Sequence, residues 1–529
     1  MRDDVKKSDY VIVGSGINSL VCAAILAKRG RSVSVLERND RIGGCIRSEE
    51  ITAPGFTHDV IAATFVLFKT SPAYTALAED LHQRGLVFCD STSPTGVLLA
   101  DGRHLIFHQS TDHNVSAFKA LCASDGQQHA ADMAQIGADA DILFSVLGGN
   151  LWSWNMLKLL FREGRRRGSR ELLALLGEAL GSARGWLETA YSSDEIKALW
   201  APWVLHAGLG PESAFSAQIG KIIAFALEQA GAPIIKGGAE HFVHAIRSII
   251  EDHGGEIFVG QDVAEVIVEK TTAKGVRTTG QEEFMAAHGV ICSTTPGQLY
   301  DRLLKHQSIP SAVRNDLKRF RYGKGNMQIH YALDKPPAWS IPELGQVALL
   351  HLTPGLDGVS KATNEAERGM LPEIPTLCVG HPTALDPSRC PEGKAILWLQ
   401  LPETPRQIKG DAATEIDPPY DGQWTNEIKE RYADRAQSIL ESHIAGFGTS
   451  VLERKVYSPA DLEAININLV GGDPYGGFCG LDQYFLWRPL KSSINHTTCI
   501  NHLHHIGAST HPGPGLGGGS GFLLAQSLK

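Results

Sequence analysis

The residues best suited to chemistry near the start of the chain are two glycines and a carboxylate. Gly14 and Gly16 flank Ser15 in the stretch DYVIVGSGINSLVCAAILAKRGRSVSVLER, which begins at Asp9, and Glu37 stands next to its end. A glycine loop leaves backbone N–H groups free to bind a pyrophosphate, and a carboxylate at this spacing accepts hydrogen bonds from ribose hydroxyls. The pattern therefore predicts a nucleotide-binding site.

A strand, a helix and a second strand must position these groups. Apolar β-forming runs at 10–13 and 32–36 enclose a helical stripe at 18–29, which is the order of a βαβ unit. Ser19 stands where the third glycine of G-x-G-x-x-G belongs, and because serine adds only a hydroxymethyl group we expect it to be tolerated. A glycine-rich turn also arises by chance, but the register with Glu37 favours nucleotide binding.

A second glycine loop distinguishes FAD from NAD. The stretch RNDRIGG (38–44) follows Glu37 and precedes Arg47. An acid followed by R-x-G-G resembles the FAD-binding superfamily that includes amine oxidases, phytoene desaturases and GDP-dissociation inhibitors. In that superfamily the second loop wraps the FAD diphosphate and ribityl chain, for which a purely NAD-binding domain has no need. The resemblance therefore implies FAD.

The C-terminal stretch HLHHIGASTHPGPGLGGGSGFLLAQSLK predicts a strand (503–507), a glycine-rich turn (515–519) and a helix (520–528). Such a turn presents N–H groups and the positive end of a helix dipole, which suit the anionic edge of a reduced flavin. Its pattern G-x-x-T-H-P-G-x-G is similar to phytoene desaturases, to retinol saturase and to a pyridine nucleotide-disulfide oxidoreductase-like group. His511 in this pattern is the candidate catalytic residue, handling a proton beside the flavin, and the alternative is that it only shapes the loop.

The resemblance covers nearly the whole chain and implies an α/β fold. It is an FAD-binding Rossmann-like domain of the glutathione-reductase type with a discontinuous α+β substrate domain. We expect the FAD-binding domain to comprise residues 1–75, 235–300 and 490–529, and the substrate-binding domain residues 76–234 and 301–489. The cofactor-binding residues so implied, among which Val263 would lie by the adenine, are Gly14, Gly16, Asn18, Ser19, Glu37, Arg38, Gly43, Gly44, Arg47, Val263, Gly507, Thr510, Gly518 and Gly519.

Composition excludes several classes of protein. The net charge of −9 argues against nucleic acid as a partner, and the nine cysteines include no C-x-x-C pair, which argues against a disulfide framework and a redox dithiol. The opening MRDDVKKS has no apolar core of a signal peptide, and no run approaches 18 apolar residues. We therefore expect a cytoplasmic protein.

Two clusters of residues could be binding sites or could have only a structural role. Aromatic and apolar residues beside arginines in 150–170 are typical of a helix on an anionic membrane surface, although a solvated basic helix end is favoured. His502, His504 and His505 could bind a metal, but packing is favoured because no carboxylate or cysteine lies beside them. We expect no metal, and leave peripheral membrane contact open.

The leading functional prediction is an FAD-dependent oxidoreductase that removes hydride from a hydrophobic small molecule at a C–C bond. No second G-x-G-x-x-G follows a strand in mid-chain, so the reduced flavin would pass its electrons to oxygen or a quinone. Two alternatives stay open: an amine oxidase acting at a C–N bond, and a lipid-binding chaperone like the GDP-dissociation inhibitors. Tyr475, Phe478 and Tyr484 would line the substrate cavity or belong to the core.

Overall fold

The computed structural model describes residues 6–528, so the first five residues of the predicted first FAD segment, and Lys529 of the last, lie outside it. The strands are β1 (Lys6–Val13), β2 (Val33–Leu36), β3 (Ser48–Glu49), β4 (His58–Asp59), β5 (Phe88–Cys89), β6 (Thr95–Leu99), β7 (His104–Phe107), β8 (Ile234–Ile235), β9 (Glu256–Phe258), β10 (Val263–Glu269), β11 (Thr272–Thr278), β12 (Glu283–Ser293), β13 (Gly325–Leu333), β14 (Leu349–Thr353), β15 (Met370–Leu371), β16 (Leu377–Gly380), β17 (Ala395–Thr404), β18 (Gly410–Asp411), β19 (Val451–Tyr457) and β20 (Leu503–Ile506).

The helices connect and cover these strands. They are α1 (Ile17–Lys28), α2 (Val66–Lys69), α3 (Pro72–Gln83), α4 (Thr111–Leu121), α5 (Ala123–Gly148), α6 (Trp154–Arg167), α7 (Ser169–Ala179), α8 (Ala183–Ala190), α9 (Asp194–Trp200), α10 (Ser216–Ala230), α11 (Glu240–Asp252), α12 (Ser311–Arg319), α13 (Leu356–Glu367), α14 (Pro382–Leu385), α15 (Asn426–Glu441), α16 (Phe447–Ser450), α17 (Pro459–Ile465) and α18 (Gly519–Ser527).

The first large sheet joins three stretches that are far apart in sequence. Its order is β10-β11-β12-β1-β2-β9, with β20 beside β12. Strands β12, β1, β2 and β9 run parallel, as does β20 to β12, and β10–β11 is an antiparallel hairpin. Helix α1 lies between this sheet and helices α11 and α18, and 11 of its 12 residues are buried for that reason. The predicted βαβ unit is therefore present, with its carboxyl ends at one edge.

The second large sheet has the order β19-β13-β17-β16-β14-β6-β7. Strands β6 and β7 come from the predicted segment 76–234 and the other five from 301–489, joined by the parallel pair β6–β14. Strands β6 and β7 form an antiparallel hairpin whose turn contains Asp101 and Gly102. One face of this sheet is uniformly apolar and packs against α15, through residues that include Ile329, Leu350, Val379, Leu399 and Tyr432.

A buried ion network joins the segment before β17 to β4, β8 and the amino end of α11. The guanidinium of Arg389 is fully buried and donates to Asp59 at 2.7 Å, to Asp386 at 3.3 Å and to the Ile235 carbonyl at 2.6 Å. Asp59 also accepts from the backbone of Ala239 at 2.8 Å. Because an unpaired buried charge is costly, these contacts hold the amino end of α11 and β4 against the segment before β17.

Candidate functional site

The first glycine loop lies at the carboxyl end of β1. Gly14 has φ +88°, and its N–H donates to the Leu36 carbonyl at 2.8 Å, which turns the chain sharply from β1 into α1. Gly16 caps α1 with an extended backbone, and a Cβ placed on it would meet no atom within 4 Å. The space in front of the α1 amino end is thus open, as binding of a phosphate at that helix end requires.

Glu37 is fixed against this loop. It is buried, and one carboxylate oxygen accepts from the Ser15 backbone N–H at 3.0 Å and from the Ser15 hydroxyl at 2.6 Å. The other oxygen accepts from the Asn39 N–H at 3.0 Å. These bonds orient the carboxylate toward the cleft, where it would accept the hydroxyls of a ribose.

The second glycine loop packs directly on the first. The Gly43 N–H donates to the Ser15 carbonyl at 3.1 Å, and a Cβ on Gly44 would lie 3.1 Å from the Cα of Gly16. Gly43 and Gly44 have φ +113° and +63°, and a Cβ on Gly43 would come within 2.5 Å of the Ile46 carbonyl. Glycine is therefore required at both positions by backbone conformation and close approach.

A cleft runs from the two loops along the edge of the first sheet. Of the predicted cofactor residues, Gly14, Glu37, Arg38, Gly44 and Val263 line it. The carbonyl of Val263 accepts from the guanidinium of Arg302 at 3.1 Å, so this carbonyl is already bonded. Cleft residues that sequence reasoning missed are Ser15, Asn39, Gln261, Asp262, Ser293, Thr294, Arg302, Asn466, Ile467 and Asn468.

The most informative residues that the sequence analysis did not predict in the cleft are 466–468, which belong to the predicted substrate-binding domain. The Thr295 N–H donates to the Asn468 side chain at 2.9 Å, and the Asn39 amide donates to the Ile465 carbonyl at 3.3 Å. These bonds bring the end of α17 across the predicted adenosine end of the cleft. No glycine loop or charge pattern marks this stretch in the sequence; its side-chain amides alone could have suggested it.

Two of the predicted cofactor residues, Arg47 and Ser19, do not line the cleft. The Arg47 side chain is bonded to another residue, and the Ser19 side chain is buried. The Arg47 Nε donates to Glu49 at 2.6 Å. Ser19 is completely buried, and its hydroxyl makes no hydrogen bond to any other of residues 6–528. The position of the missing third glycine is therefore closely packed.

The amino ends of α1 and α18 meet. The Asn18 side chain accepts from the Ser520 hydroxyl at 2.9 Å, and that hydroxyl accepts from the Gly507 N–H at 2.9 Å. A Cβ on Gly518, which has φ +65°, would lie 2.7 Å from a Val21 methyl carbon. Two positive helix ends thus converge beside the glycine loops, an arrangement that suits an elongated anionic cofactor.

The remaining C-terminal candidates shape the approach to α18. The Thr510 hydroxyl donates to the Gly507 carbonyl at 2.9 Å, which closes the turn after β20. Gly519 is the first residue of α18, and a Cβ on it would lie 2.6 Å from the ring of Pro512. Both residues therefore fix the backbone of this loop.

His511 is buried, and its Nε2 lies 2.9 Å from the Gly149 carbonyl at the end of α5. Since a carbonyl can only accept, Nε2 carries the hydrogen and Nδ1 presents a lone pair, which has no partner among residues 6–528. Burial lowers the pKa of His511 to about 4. The ring is therefore neutral near pH 7, with one nitrogen holding the loop and the other free.

The three C-terminal histidines do not form a metal cluster in residues 6–528. His502 and His505 bond to the carbonyls of His288 and Thr294, each at 2.7 Å. The group that does converge is His206, His351 and Cys378, whose ligand atoms lie within 4.8 Å of one another. The two rings already share a hydrogen bond of 3.0 Å. This group was missed because it joins a 3₁₀-helix and two strands distant in sequence.

Comparison with protein families and curated proteins agrees with this geometry. Residues 12–81 match the family described as an NAD(P)-binding Rossmann-like domain. The chain is 26% identical to rat pyridine nucleotide-disulfide oxidoreductase domain-containing protein 2, over 98% of this chain and 92% of the rat protein. It is 21% identical to a limonene dehydrogenase polypeptide of Castellaniella defragrans, covering 99% and 95% of the two chains. The neurosporene-forming phytoene desaturase of Cereibacter sphaeroides is 24% identical, with 98% and 93% covered.

Solved structures confirm the fold. An oxidoreductase from Methanosarcina mazei has a TM-score of 0.61 at 16% identity, with 99% of this chain and 100% of that chain covered. Putrescine oxidase with bound putrescine has a TM-score of 0.59 at 15% identity, with 99% of each chain covered. The comparisons confirm the interpretation drawn from the sequence: the chain is an FAD-dependent oxidoreductase that resembles the phytoene desaturases and the pyridine nucleotide-disulfide oxidoreductase-like group.

Proposed function

We propose that the protein removes hydride from a lipophilic organic substrate at a C–C bond. The observation that carries this proposal is a small apolar cavity beside the C-terminal loop. It is lined by Ala63, Thr64, Ile234, Ala348, Leu349, His381, Pro382, Leu385 and Trp398. Ala63 and Thr64 lead into α2, whose Leu67 contacts Gly515 and Gly517 of the C-terminal turn. This apolar lining suits a hydrophobic group, and the side chains around it must move apart to admit a whole substrate molecule.

The relatives favour the same class of substrate. Their names include limonene dehydrogenase and several phytoene and diapophytoene desaturases, enzymes whose named substrates are hydrocarbons. Oxygen or a quinone would act as the electron acceptor. Oxidation at a C–N bond is the competing reaction, and amines are therefore included in the test below.

The chain's own groups divide the work around the cofactor. Gly14, Gly16, Gly43 and Gly44 would cradle the diphosphate, and Glu37 the adenosine ribose. Asn18, Gly507, Gly518 and Gly519 would set the amino end of α18 against the flavin. FAD, when bound, supplies hydride acceptance and electron transfer.

His511 is proposed as the proton-handling group because Nδ1 faces no protein partner in the described chain while Nε2 is anchored at Gly149. Anchoring one ring nitrogen fixes the tautomer and leaves the other able to accept a proton. Shaping of the loop is the alternative role, and the rate and flavin spectrum of a His511→Ala variant separate the two.

The domain division is also part of the proposal. The strands of the first large sheet all come from the proposed FAD-binding domain, which comprises residues 1–75, 235–300 and 490–529. The strands of the second large sheet all come from the proposed substrate domain, which comprises residues 76–234 and 301–489. Residues 466–468 then reach from the second domain to the cofactor cleft of the first.

Peripheral membrane contact through α6 and α7 completes the proposal. Within residues 6–528, no helix is both long and apolar enough to cross a bilayer. Trp154, Phe161 and Leu173 are nevertheless 78%, 66% and 67% exposed, and the neighbouring Arg165 and Arg170 form no ion pair with other described residues. Exposed aromatic and aliphatic groups beside cations favour an anionic lipid surface.

Anaerobic bleaching of the flavin tests the reaction class. The FAD-loaded protein is mixed with polyenes, retinoids and amines, and the flavin absorbance is followed. Reduction by polyenes or retinoids is expected. Reduction by amines alone would replace the C–C proposal by the C–N reaction, and a purified protein without flavin would favour the lipid-binding chaperone.

A further inference from the structure

The second sheet has two faces of opposite character. On β13, Met327, Ile329 and Tyr331 point to the apolar face against α15. Asn326, Gln328 and His330 alternate with them and therefore point to the other face. β17 repeats the pattern: Leu397, Leu399 and Leu401 belong to the apolar core, and Trp398 and Gln400 lie on the other face.

The strand register aligns these polar residues in a row. Gln328 is paired with Gln400, Gln400 with Cys378, and Cys378 with His351, each on the neighbouring strand. Directly paired residues project to the same face of a sheet. The middle of the sheet thus carries a row of Gln328, Gln400, Cys378 and His351, which we term the polar row.

The two glutamines of the polar row have no protein partner within the described chain, whereas His351 is bonded to His206. The side-chain amides of Gln328 and Gln400 form no hydrogen bond with other residues in the range 6–528. Asn326, buried two residues before Gln328, has the Tyr475 hydroxyl beside its amide. Amides without a protein partner pair with water or with a bound molecule, so the two glutamines offer hydrogen bonds to a ligand on this face.

The row is also accessible at its centre. β17 is an inner strand of the seven-stranded second sheet. Its residues Leu397 and Leu399 are completely buried, but Trp398 and Gln400 on the other face are partly exposed. Trp398 lines the apolar cavity together with Leu349 of β14. The cavity and the polar row therefore lie on the same face, one row apart.

Two contacts place this face beside the C-terminal loop. Asn326 lies next to the hydroxyl of Tyr475, and the following residue, Gly476, accepts from the Ser509 hydroxyl at 2.7 Å. On the other side, Ala63 and Thr64 of the cavity precede Leu67, which contacts Gly515. These contacts connect the face that carries the polar row, through Tyr475 and Gly476, to Ser509 of the C-terminal loop.

The chemistry of the row selects a neutral group. Each glutamine amide both donates and accepts, and none of the four side chains is charged at neutral pH. Burial holds the pKa of His351 well below its ordinary value and raises that of the Cys378 thiol. A carboxylate or an ammonium would find no counter-charge in the row, whereas a hydroxyl, carbonyl or amide would pair with it.

We propose that Gln328 and Gln400, with Asn326, form a subsite that binds a neutral hydrogen-bonding group of the substrate. The preferred substrate is then a lipophilic molecule carrying a hydroxyl, carbonyl or amide group, which binds more tightly than a bare hydrocarbon or an amine of the same skeleton. This inference rests on the proposed function, because it places the substrate in the cavity beside the C-terminal loop.

The test compares molecules that differ only in the polar group. Limonene, perillyl alcohol and perillylamine are titrated into the FAD-loaded protein, as are farnesene and farnesol, and binding is measured by calorimetry and by the flavin spectrum. We expect each alcohol to bind about 10- to 100-fold more tightly than its hydrocarbon, because the hydrocarbon leaves the amides unpaired. Perillylamine should bind more weakly than perillyl alcohol.

Leucine variants test whether the polar row causes the preference for alcohols over hydrocarbons. Gln328→Leu and Gln400→Leu should lose most of the preference for the alcohols and leave hydrocarbon binding equal or tighter, with unchanged flavin content. Gln83→Leu, on the exposed side of α3, should behave as the parent protein. Three results would overturn the subsite. The parent protein binds alcohol and hydrocarbon equally, the preference for the alcohol survives both substitutions, or no compound binds.

The same data separate this inference from the reaction itself. If limonene and farnesene reduce the flavin as well as the alcohols do, the oxidoreductase proposal stands and the polar subsite fails. If the alcohols bind through the glutamines but no compound of the panel reduces the flavin, the subsite stands and the proposed reaction fails.

Discussion

Glu37 and Ser15 join the end of β2 to the first glycine loop. The Ser15 backbone and hydroxyl both donate to one oxygen of the Glu37 carboxylate, at 3.0 and 2.6 Å. The carboxylate therefore has a fixed position in the cleft before any ligand binds, which is the preorganisation that lowers the cost of binding.

Glu37→Ala should weaken FAD binding by about 1–3 kcal/mol, because the ribose hydroxyls lose their acceptor. Flavin retained after dialysis is the measurement. Glu392→Ala, at an exposed loop position, is the control. Full flavin content in Glu37→Ala would remove Glu37 from the site.

Gly16→Val should lose FAD while the apoprotein stays folded. A Cβ on Gly16 would meet no protein atom within 4 Å, and its φ of −66° suits a residue with a side chain. Valine is a poor helix cap, so a loss of about 1 kcal/mol in the free energy of unfolding is expected. Gly44→Ala makes the contrast: at φ +63° and 3.1 Å from the Cα of Gly16, it should destabilise the apoprotein itself. Normal flavin binding by Gly16→Val would show that no phosphate lies at α1.

Ser19 variants test the packing of α1 on the first sheet. Ser19→Gly should bind FAD about as well as the parent, and Ser19→Leu should lose it because the side chain is completely buried. Ser19→Ala removes a hydroxyl without a partner in the described chain and should leave the free energy of unfolding unchanged or raised. Equal flavin content and thermal stability in all three would contradict close packing.

His511→Ala should retain FAD and slow flavin reduction by about 10- to 10⁴-fold, the range for loss of a proton-handling group. Stopped-flow reduction with the best substrate of the panel measures it. A variant with a shifted flavin spectrum and a nearly unchanged rate would instead assign His511 to shaping the loop through Gly149. His253→Ala, just past the carboxyl end of α11, controls for loss of a histidine.

The buried histidines should make the protein labile to acid. Burial lowers the pKa of His206, His330, His381, His505 and His511 to about 4 in each case. In the unfolded chain a histidine has a pKa of about 6.5, so below that pH the unfolded state binds more protons and stability falls. The thermal midpoint should be constant above pH 7 and decrease steadily from about pH 6.5 to pH 4. A midpoint unchanged over that range would show that these rings are not buried in neutral form.

Local sequence was sufficient for the two ends of the chain. Gly14, Gly43 and Gly44 appear as glycines because their backbones have positive φ and lie close to other atoms, and each such requirement concerns a single position of the sequence. Helices α1 and α18 follow from short-range apolar periodicity, and each of their ends lies one residue before the predicted one. The FAD interpretation rested on these local signals.

What the tertiary structure decided is which distant residues share a surface. Alternation along β13 and β17 is visible in GNMQIHYAL and AILWLQLPET, yet it does not say which face is covered by α15 and which faces the C-terminal loop. Strand register brought Gln328, Gln400 and His351 into one row, and tertiary packing carried Asn468 to the cofactor cleft. Those pairings are set by the summed packing of elements far apart in the chain, and no single segment encodes them.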